Sequence, residues 1–454
     1  MALRSINPAT GELLESFSEQ TAEEVKAAVK KAHQAFTSWS GLDMKRRSAP
    51  LRKAAAVLRA EKTALARMMS EEMGKPVLQA SAEVDKCALV CEYYAEHGPA
   101  MLRPERIASD AADSFVRFDP LGVILAVMPW NFPLWQVFRF AAPALLAGNT
   151  CLLKHASGVS RCAARIEEVF RRAAFPAHVF TALRIGSAQV EALLALPQVR
   201  AVTLTGSDAA GRAVAAAAGR HLKKSVLELG GSDPFIVLAD APLSPCVAAA
   251  VSSRMINSGQ SCIAAKRFIV VGAIYSRFRR AFTAAVAGLK TGNPLDESND
   301  LGPLARADLV DELERQVRES VRLGAAVLAG GNRIKGPGFF FQPTVLEGVR
   351  PGMPAYDEEL FGPVAALIRA DDEEDALRIA NDTPFGLGAS IWTANREKAE
   401  ALAARVEAGS VFINGMVKSD PRLPFGGIKM SGFGRELSSY GIKEFVNIKT
   451  VVIS

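Results

Sequence analysis

The sequence predicts an α/β protein built on doubly covered parallel sheets, and three observations carry that prediction. From residue 121 onward short apolar runs recur: LGVILAVM, LAGNTCLLK, AVTLTGS, KSVLELGG and DPFIVLAD. They are mostly β-branched or Leu-rich and close on Gly, Ser, Asn or Asp. Between them lie Ala/Arg/Glu-rich stretches of helical period, such as 158–174 and 208–220. Strands apolar on both faces that alternate with helices belong to a sheet covered on both sides. Finally, 454 residues that are 49% hydrophobic and 22% charged suffice for two or three domains with large cores.

In chain order, Thr21-Ala-Glu-Glu24 reads as a capping box, with Val25, Val29, Ala32 and Phe36 following at helical spacing, so 21–39 is a helix. The Ala/Leu/Met/Lys/Arg-rich segment 44–97 reads as helices, with a candidate break at Pro50 and another at Gly74-Lys-Pro76. SFVRFD, 114–119, has strand character. After the first series of runs a second follows from 231: helix 244–258, strand 267–271, helices 275–289 and 306–323, strands 325–328 and 363–368, helix 373–381 and strand 410–413. The tail VNIKTVVIS alternates like an edge strand that pairs with another element or another subunit.

Composition excludes several classes. Lys+Arg 54 against Asp+Glu 48 leaves a diffuse charge of +6, which supplies no nucleic-acid stripe and only mildly favours an anionic substrate or cofactor. Six cysteines without a C-x-x-C pair do not make a disulfide framework in a chain this long, so a reducing, cytoplasmic setting is expected. Five scattered histidines give no metal-ligand spacing, and no metal is expected. The start, MALRSINPATGE, lacks an apolar signal core, and the apolar stretch 140–153 is interrupted by Pro143, Gly148 and Asn149, so no membrane association is expected.

A sheet of this kind places ligands at the C-terminal ends of its strands. Those ends are Pro129-Trp-Asn-Phe-Pro133, Lys154-His-Ala-Ser157, Thr205-Gly-Ser207 and Glu228-Leu-Gly-Gly231. No G-x-G-x-x-G occurs, so a pyrophosphate would need another cradle, and Gly206-Ser207 before the helix 208–220 is the best candidate. Cys262 lies in a polar, glycine-bearing stretch, NSGQSC, after an apolar helix. Alone, such a cysteine is more often inert packing than a nucleophile.

Taken together, PWNFP, LELGG, NSGQSC, EELFGPV and PFGGIKMSGFGRE, in this order between residues 129 and 436, resemble the aldehyde dehydrogenase superfamily. The match runs from INPATGE to the strand-like tail. The resemblance implies Cys262 as the thiolate that attacks the aldehyde carbon. It implies Asn131, with the Cys262 backbone N–H, as the oxyanion stabiliser, and Glu228 as the general base for thioester hydrolysis. It implies a nicotinamide cofactor contacted by Trp130 and Asn131, by Lys154, His155, Ala156 and Ser157, by Gly206 and Ser207, and by Leu229, Glu359 and Phe361. In isolation, Glu359 would read as a salt-bridge residue and Phe361 as core.

CEYYAEHGPAML, MPWNFPLWQVFR, LLKHAS, VLELGGSDPFIVL and SDPRLPFGG are more closely similar to the succinate-semialdehyde dehydrogenases, especially the bacterial short form with KHAS. That implies Arg139 and Ser419 at the substrate carboxylate, although Arg139 could instead pair with an acid at a subunit contact. The second family arginine falls six residues before the cysteine, where this chain has Ile256; Arg254 or Arg422 could substitute. Ser157 stands where NAD-selective members carry glutamate, so NADP is expected to be preferred and NAD accepted, unless Ser157 only caps the helix that follows. Ala264 stands where some relatives carry a second cysteine, so no adjacent-cysteine switch is expected.

The implied architecture is aldehyde-dehydrogenase-like. A Rossmann-type cofactor domain covers 1–101 and 121–230, an α/β catalytic domain covers 231–445, and a β-ribbon of 102–120 with 446–454 joins subunits into a homodimer or homotetramer. The implied activity is NAD(P)-dependent oxidation of succinate semialdehyde, a small-molecule substrate, to succinate. Alternatives are another short aliphatic or ω-carboxy aldehyde, or a non-catalytic relative of the fold. A CoA-acylating relative would lack the general-base glutamate that Glu228 matches.

Overall fold

The computed structural model describes residues 2–454. A six-stranded sheet forms first. Its order is Gly432–Phe433, Lys224–Glu228, Val199–Thr205, Val123–Met128, Thr150–His155 and Phe180–Leu183, parallel except for the two-residue Gly432–Phe433 strand. Chain order reverses between Val123–Met128 and Val199–Thr205, which makes that gap the topological switch point. Both faces are covered: Ile124, Ala126, Cys151 and Leu153 join one core, Val123, Leu125, Leu152 and Val202 the other. The expected near-continuous apolar runs follow from that double burial.

A seven-stranded sheet takes up the second series in the order Ala326–Ala329, Thr344–Glu347, Val364–Ala370, Ala265–Val271, Asp233–Val237, Gly388–Trp392 and Ser410–Ile413, parallel except for Ala326–Ala329 at one edge. The tail strand Val446–Ile453 pairs along its whole length with Asp113–Pro120, and Glu105–Arg106 adds a third strand. Among the described residues no helix is long and apolar enough to cross a membrane.

The capping box closes helix Ala22–Ser40 through Thr21 and Glu24. The expected break at Pro50 does not occur. Helix Met44–Ala60 runs through it, held by burial of Leu51, Ala54, Ala55 and Leu58, and the chain breaks instead at Glu61. Gly74, at φ +80°, ends helix Lys62–Met73 where expected. The interrupted apolar stretch 140–153 is the end of helix Trp135–Ala147, closed by Gly148 at φ +104°, followed by the strand Thr150–His155. The hairpin Ala2–Ile6/Leu13–Ser18 and the strands Phe180–Leu183, Thr344–Glu347 and Gly388–Trp392 lie outside the elements that the sequence pattern predicts.

Candidate active site

Two cavities meet at Cys262. One, of about 390 Å³, opens at the switch point of the six-stranded sheet. Trp130 and Asn131 from the end of Val123–Met128, Gly206 and Ser207 from the end of Val199–Thr205, and Leu229 line it, with Glu359 and Phe361 opposite. The other, of about 220 Å³, lies between helices Val77–Met101 and Trp135–Ala147 and the loop carrying Ser419; Lys86, Arg139 and Ile256 are on its wall. Gln136 also lines both.

The segment before Cys262 is wound into an unusual backbone. Helix Leu243–Met255 ends and Asn257, Ser258 and Gly259 follow at φ +53°, +54° and +76°. Two consecutive non-glycine residues in the left-handed region are costly and need surrounding support. Asn257 Nδ2 donates to the Asn131 carbonyl at 2.7 Å and its N–H to Gln79 Oε1 at 2.6 Å. Ser258 Oγ donates to the Gly302 carbonyl and accepts from the Gly302 N–H. The first of these bonds ties the cysteine loop to the Asn131 loop, and the others anchor it to Gln79 and to Gly302.

Asn131 is buried, and its amide is oriented by Gln136 Nε2, which donates to Oδ1 at 3.1 Å, leaving Nδ2 toward the Gln260 carbonyl at 3.2 Å. One Nδ2 proton is thus used and the other is available at the cavity wall. Burial pushes the Cys262 thiol up to about 12, opposed by the charges of Lys266 and Arg139. Lys266 is fully buried and donates to the Cys262 carbonyl at 2.6 Å and to Glu359 Oε1 at 3.2 Å; the Gly231 N–H reaches the same carboxylate oxygen at 3.1 Å. Glu359 is therefore held on the cavity wall by two donors. Trp130 meets Phe361 edge to face at 5.7 Å.

Glu228 lines neither cavity. Its carboxyl is buried without a hydrogen-bond partner, beside Gly426, where a Cβ would lie 2.7 Å from Oε1. Burial, and then the neighbouring Glu436, push it well above the ordinary carboxylate range against the pull of Arg139 and Arg435. Arg139 itself forms a buried ion pair with Glu436, stacks over Phe425 and reaches Thr205 Oγ1 at 3.3 Å. The acid is one of this chain, not of a neighbouring subunit.

Lys154, His155, Ala156 and Ser157 stand one strand beyond the switch point. Lys154 is half-buried and lowered by desolvation, with no carboxylate within ion-pair distance among the described residues. The Ser157 hydroxyl is exposed, and the short 3₁₀ turn it opens has no side-chain cap. His155 turns into the protein: Nε2 meets the Pro133 carbonyl at 2.9 Å and Nδ1 accepts from the Ala156 N–H at 3.0 Å. Burial pulls it down to about 4, so the ring is a neutral tie between the two loops and its side chain is not offered to a ligand. These features fit a dinucleotide: an unpaired cation and a free hydroxyl at one end, and a fixed carboxylate and a thiol at the other.

Neither proposed replacement for the missing arginine faces the smaller cavity. Arg254 is fully buried and donates to the Gly259 carbonyl, and burial lowers it to about 9. Arg422 is exposed and paired with Asp420. Pattern reading also passed over Lys86, Gln136, Lys266 and Glu436. Gln136 lies inside MPWNFPLWQVFR and Glu436 inside the GFGRE motif, whereas Lys86 and Lys266 fall outside every motif quoted above.

A nucleotide-type cavity at the sheet edge meets a second, narrower cavity at one cysteine, an arrangement that fits an NAD(P)-dependent oxidoreductase. The chain belongs to the aldehyde dehydrogenase family, whose profile matches residues 1–451. It is 51% identical over 447 residues to the succinate semialdehyde dehydrogenase, NAD(P)+, of Escherichia coli, covering 98% of this chain and 97% of the relative. It is 48% identical to the succinate-semialdehyde dehydrogenase, NADP(+), of Mycobacterium tuberculosis, with all of both chains covered. The crystal structure of the Streptococcus pyogenes succinic semialdehyde dehydrogenase in complex with NADP+ superposes with a TM-score of 0.98 at 39% identity, over the whole of both chains.

Proposed function

We propose that this protein oxidises succinate semialdehyde to succinate with NADP, accepting NAD as well. The observation that carries the reading is the position of Cys262 where the two cavities meet, with the oriented Asn131 amide on the wall of the larger one. Full-length identity to relatives named for that aldehyde supports the choice of substrate. In this reading the Cys262 thiol releases its proton to water in the cavity, helped by the charges of Lys266 and Arg139, and the thiolate attacks the aldehyde carbon, forming a C–S bond as the carbonyl π bond opens onto oxygen. Charge on the former carbonyl oxygen is met by the Asn131 Nδ2–H and the Cys262 N–H. NADP, when bound, supplies the nicotinamide that accepts the hydride. Glu228 then takes a proton from the water that attacks the thioester; the C–S bond breaks, succinate leaves and the thiolate is restored. Since Glu228 rests away from both cavities, its side chain must rotate toward Cys262 for this step.

For the cofactor, Lys154 and Ser157 take the 2′-phosphate end, with Ala156 shaping the loop that His155 anchors. Gly206 and Ser207 take the pyrophosphate, while Trp130, Leu229, Glu359 and Phe361 enclose the nicotinamide ribose. Arg139 and Ser419 belong to the end of the substrate cavity. We also propose the division into a cofactor domain (1–101 and 121–230), a catalytic domain (231–445) and a ribbon that joins subunits into a homodimer or homotetramer, in the cytoplasm.

A spectrophotometric screen of C2–C6 aldehydes, with and without an ω-carboxylate, against both cofactors tests the reading. Succinate semialdehyde with NADP should give the highest kcat/KM. Ser157→Glu should lower kcat/KM for NADP relative to NAD by about 5–150-fold. A wild type indifferent to the carboxylate, or to the 2′-phosphate, overturns the corresponding half.

A further inference from the structure

We propose that Lys86, acting with Ser419, is the cation that holds the carboxylate of the substrate and so sets the preference for an ω-carboxy aldehyde. The proposal rests on the succinate-semialdehyde reading above and supplies the charge that Ile256 leaves out.

Lys86 is on helix Val77–Met101, one turn after Glu83, and its side chain lies on the wall of the smaller cavity with Cys262. Its Nζ donates to Ser419 Oγ at 2.7 Å and sits 4.1 Å from the centre of the Trp135 ring. A hydroxyl that accepts from an ammonium keeps its own proton free to donate. The pair therefore offers an ammonium and an O–H toward the same space, the donor set a carboxylate calls for.

The acids around Lys86 are all committed elsewhere. Glu83 is ion-paired with Lys75 inside the protein, and its Oε1 accepts from the Leu134 and Trp135 N–H groups at 2.9 Å, capping helix Trp135–Ala147. Asp420 is held by Arg422 at 2.6 and 2.8 Å. Glu436 is taken by Arg139. Among the described residues Lys86 has no carboxylate within ion-pair distance, although it lies largely out of solvent. Desolvation, then the nearby Arg139, lower it to about 8. A partly desolvated ammonium with no counter-ion is expensive unless something anionic arrives. Arg139, by contrast, already has its counter-charge, so it shapes the cavity and adds field without being free to bind the substrate on its own account.

The test compares wild type with Lys86→Met, Lys86→Gln and Lys86→Arg on succinate semialdehyde and butyraldehyde, which differ in the carboxylate alone. In the Met and Gln variants the ratio of kcat/KM for the two aldehydes should fall about 10–150-fold, chiefly through KM for succinate semialdehyde. Lys86→Arg should restore much of the ratio, and succinate should weaken as a competitive inhibitor of the Met and Gln variants. If the wild type shows no preference for the carboxylate, the substrate reading itself fails. If the wild type has that preference and both neutral variants keep it, the assignment of Lys86 is overturned. Equal loss on both aldehydes likewise overturns it, since a collapsed cavity would not discriminate between them.

Discussion

At the scale of single residues the site is governed by burial. Burial and the neighbouring Glu436 hold the Glu228 carboxyl, which lacks a hydrogen-bond partner, well above the ordinary carboxylate range, while Arg139 and Arg435 pull the other way. A carboxyl raised above its ordinary value is neutral below the shifted pKa and ionises only above it. The hydrolytic step should therefore gain speed as pH rises beyond the ordinary carboxylate range. Glu228→Gln should remove that limb altogether, giving one equivalent of reduced nicotinamide in a rapid-mixing burst and then stalling. Steady turnover by the Gln variant at the wild-type rate would exclude Glu228 as the base. Five of the six cysteines, Cys87, Cys91, Cys151, Cys162 and Cys246, are buried, and Cys262 alone is partly exposed.

At the scale of elements, the turn that presents Cys262 is its most demanding feature. Gly259 has φ +76°, and a Cβ there would overlap the carbonyl of Gly362 at the start of the segment that follows Phe361. Gly259→Ala should cost about 1–3 kcal/mol through left-handed strain and that clash. It should also reduce kcat, because the turn sets the cysteine against Asn131. Thermal unfolding followed with burst kinetics checks both; a variant as stable and fast as wild type would show that the loop relaxes freely. Most helices and strands were legible because their burial patterns are regular: 208–220 and 410–413 coincide with Asp208–Arg220 and Ser410–Ile413. Pro50 misled because tertiary packing against helix Val77–Met101 outweighs one missing hydrogen bond. Lys86 was invisible for a related reason. A lysine in a helix that also carries Glu83, Asp85 and Glu92 looks solvated, and only the folded structure shows that helix face closing over a cavity. The candidate residues Asn131, Glu228, Cys262 and Glu359 fall in motifs whose order along the chain is a pattern; what His155 and Arg139 bond to is not.

At the scale of the whole molecule, the two sheets are joined through the segment that carries Glu228 and Leu229. The first sheet ends at Glu228 and the second begins at Asp233, with the Leu229 N–H held by the Ser431 carbonyl of the segment that returns to the first sheet. The three-stranded ribbon stands apart from both. Val446–Ile453 pairs with Asp113–Pro120 along one side, and among the described residues its other edge has no partner strand. Ile448 and Val452, four residues apart and so on one face of the strand, are 62% and 56% exposed. An unpaired edge with exposed apolar side chains is unstable toward association, and a natural protein covers it. A second copy of the chain covers it most economically, because a two-fold axis repeats each contact. Wild type should therefore measure in light scattering as a multiple of 48.4 kDa. Ile448→Asp combined with Val452→Asp should raise the dissociation constant by at least about a thousandfold, since each buried aliphatic side chain contributes roughly 1.5–3 kcal/mol and the symmetry doubles the loss. A wild type that stays monomeric, or a double variant that assembles as before, would remove the ribbon from the subunit contact.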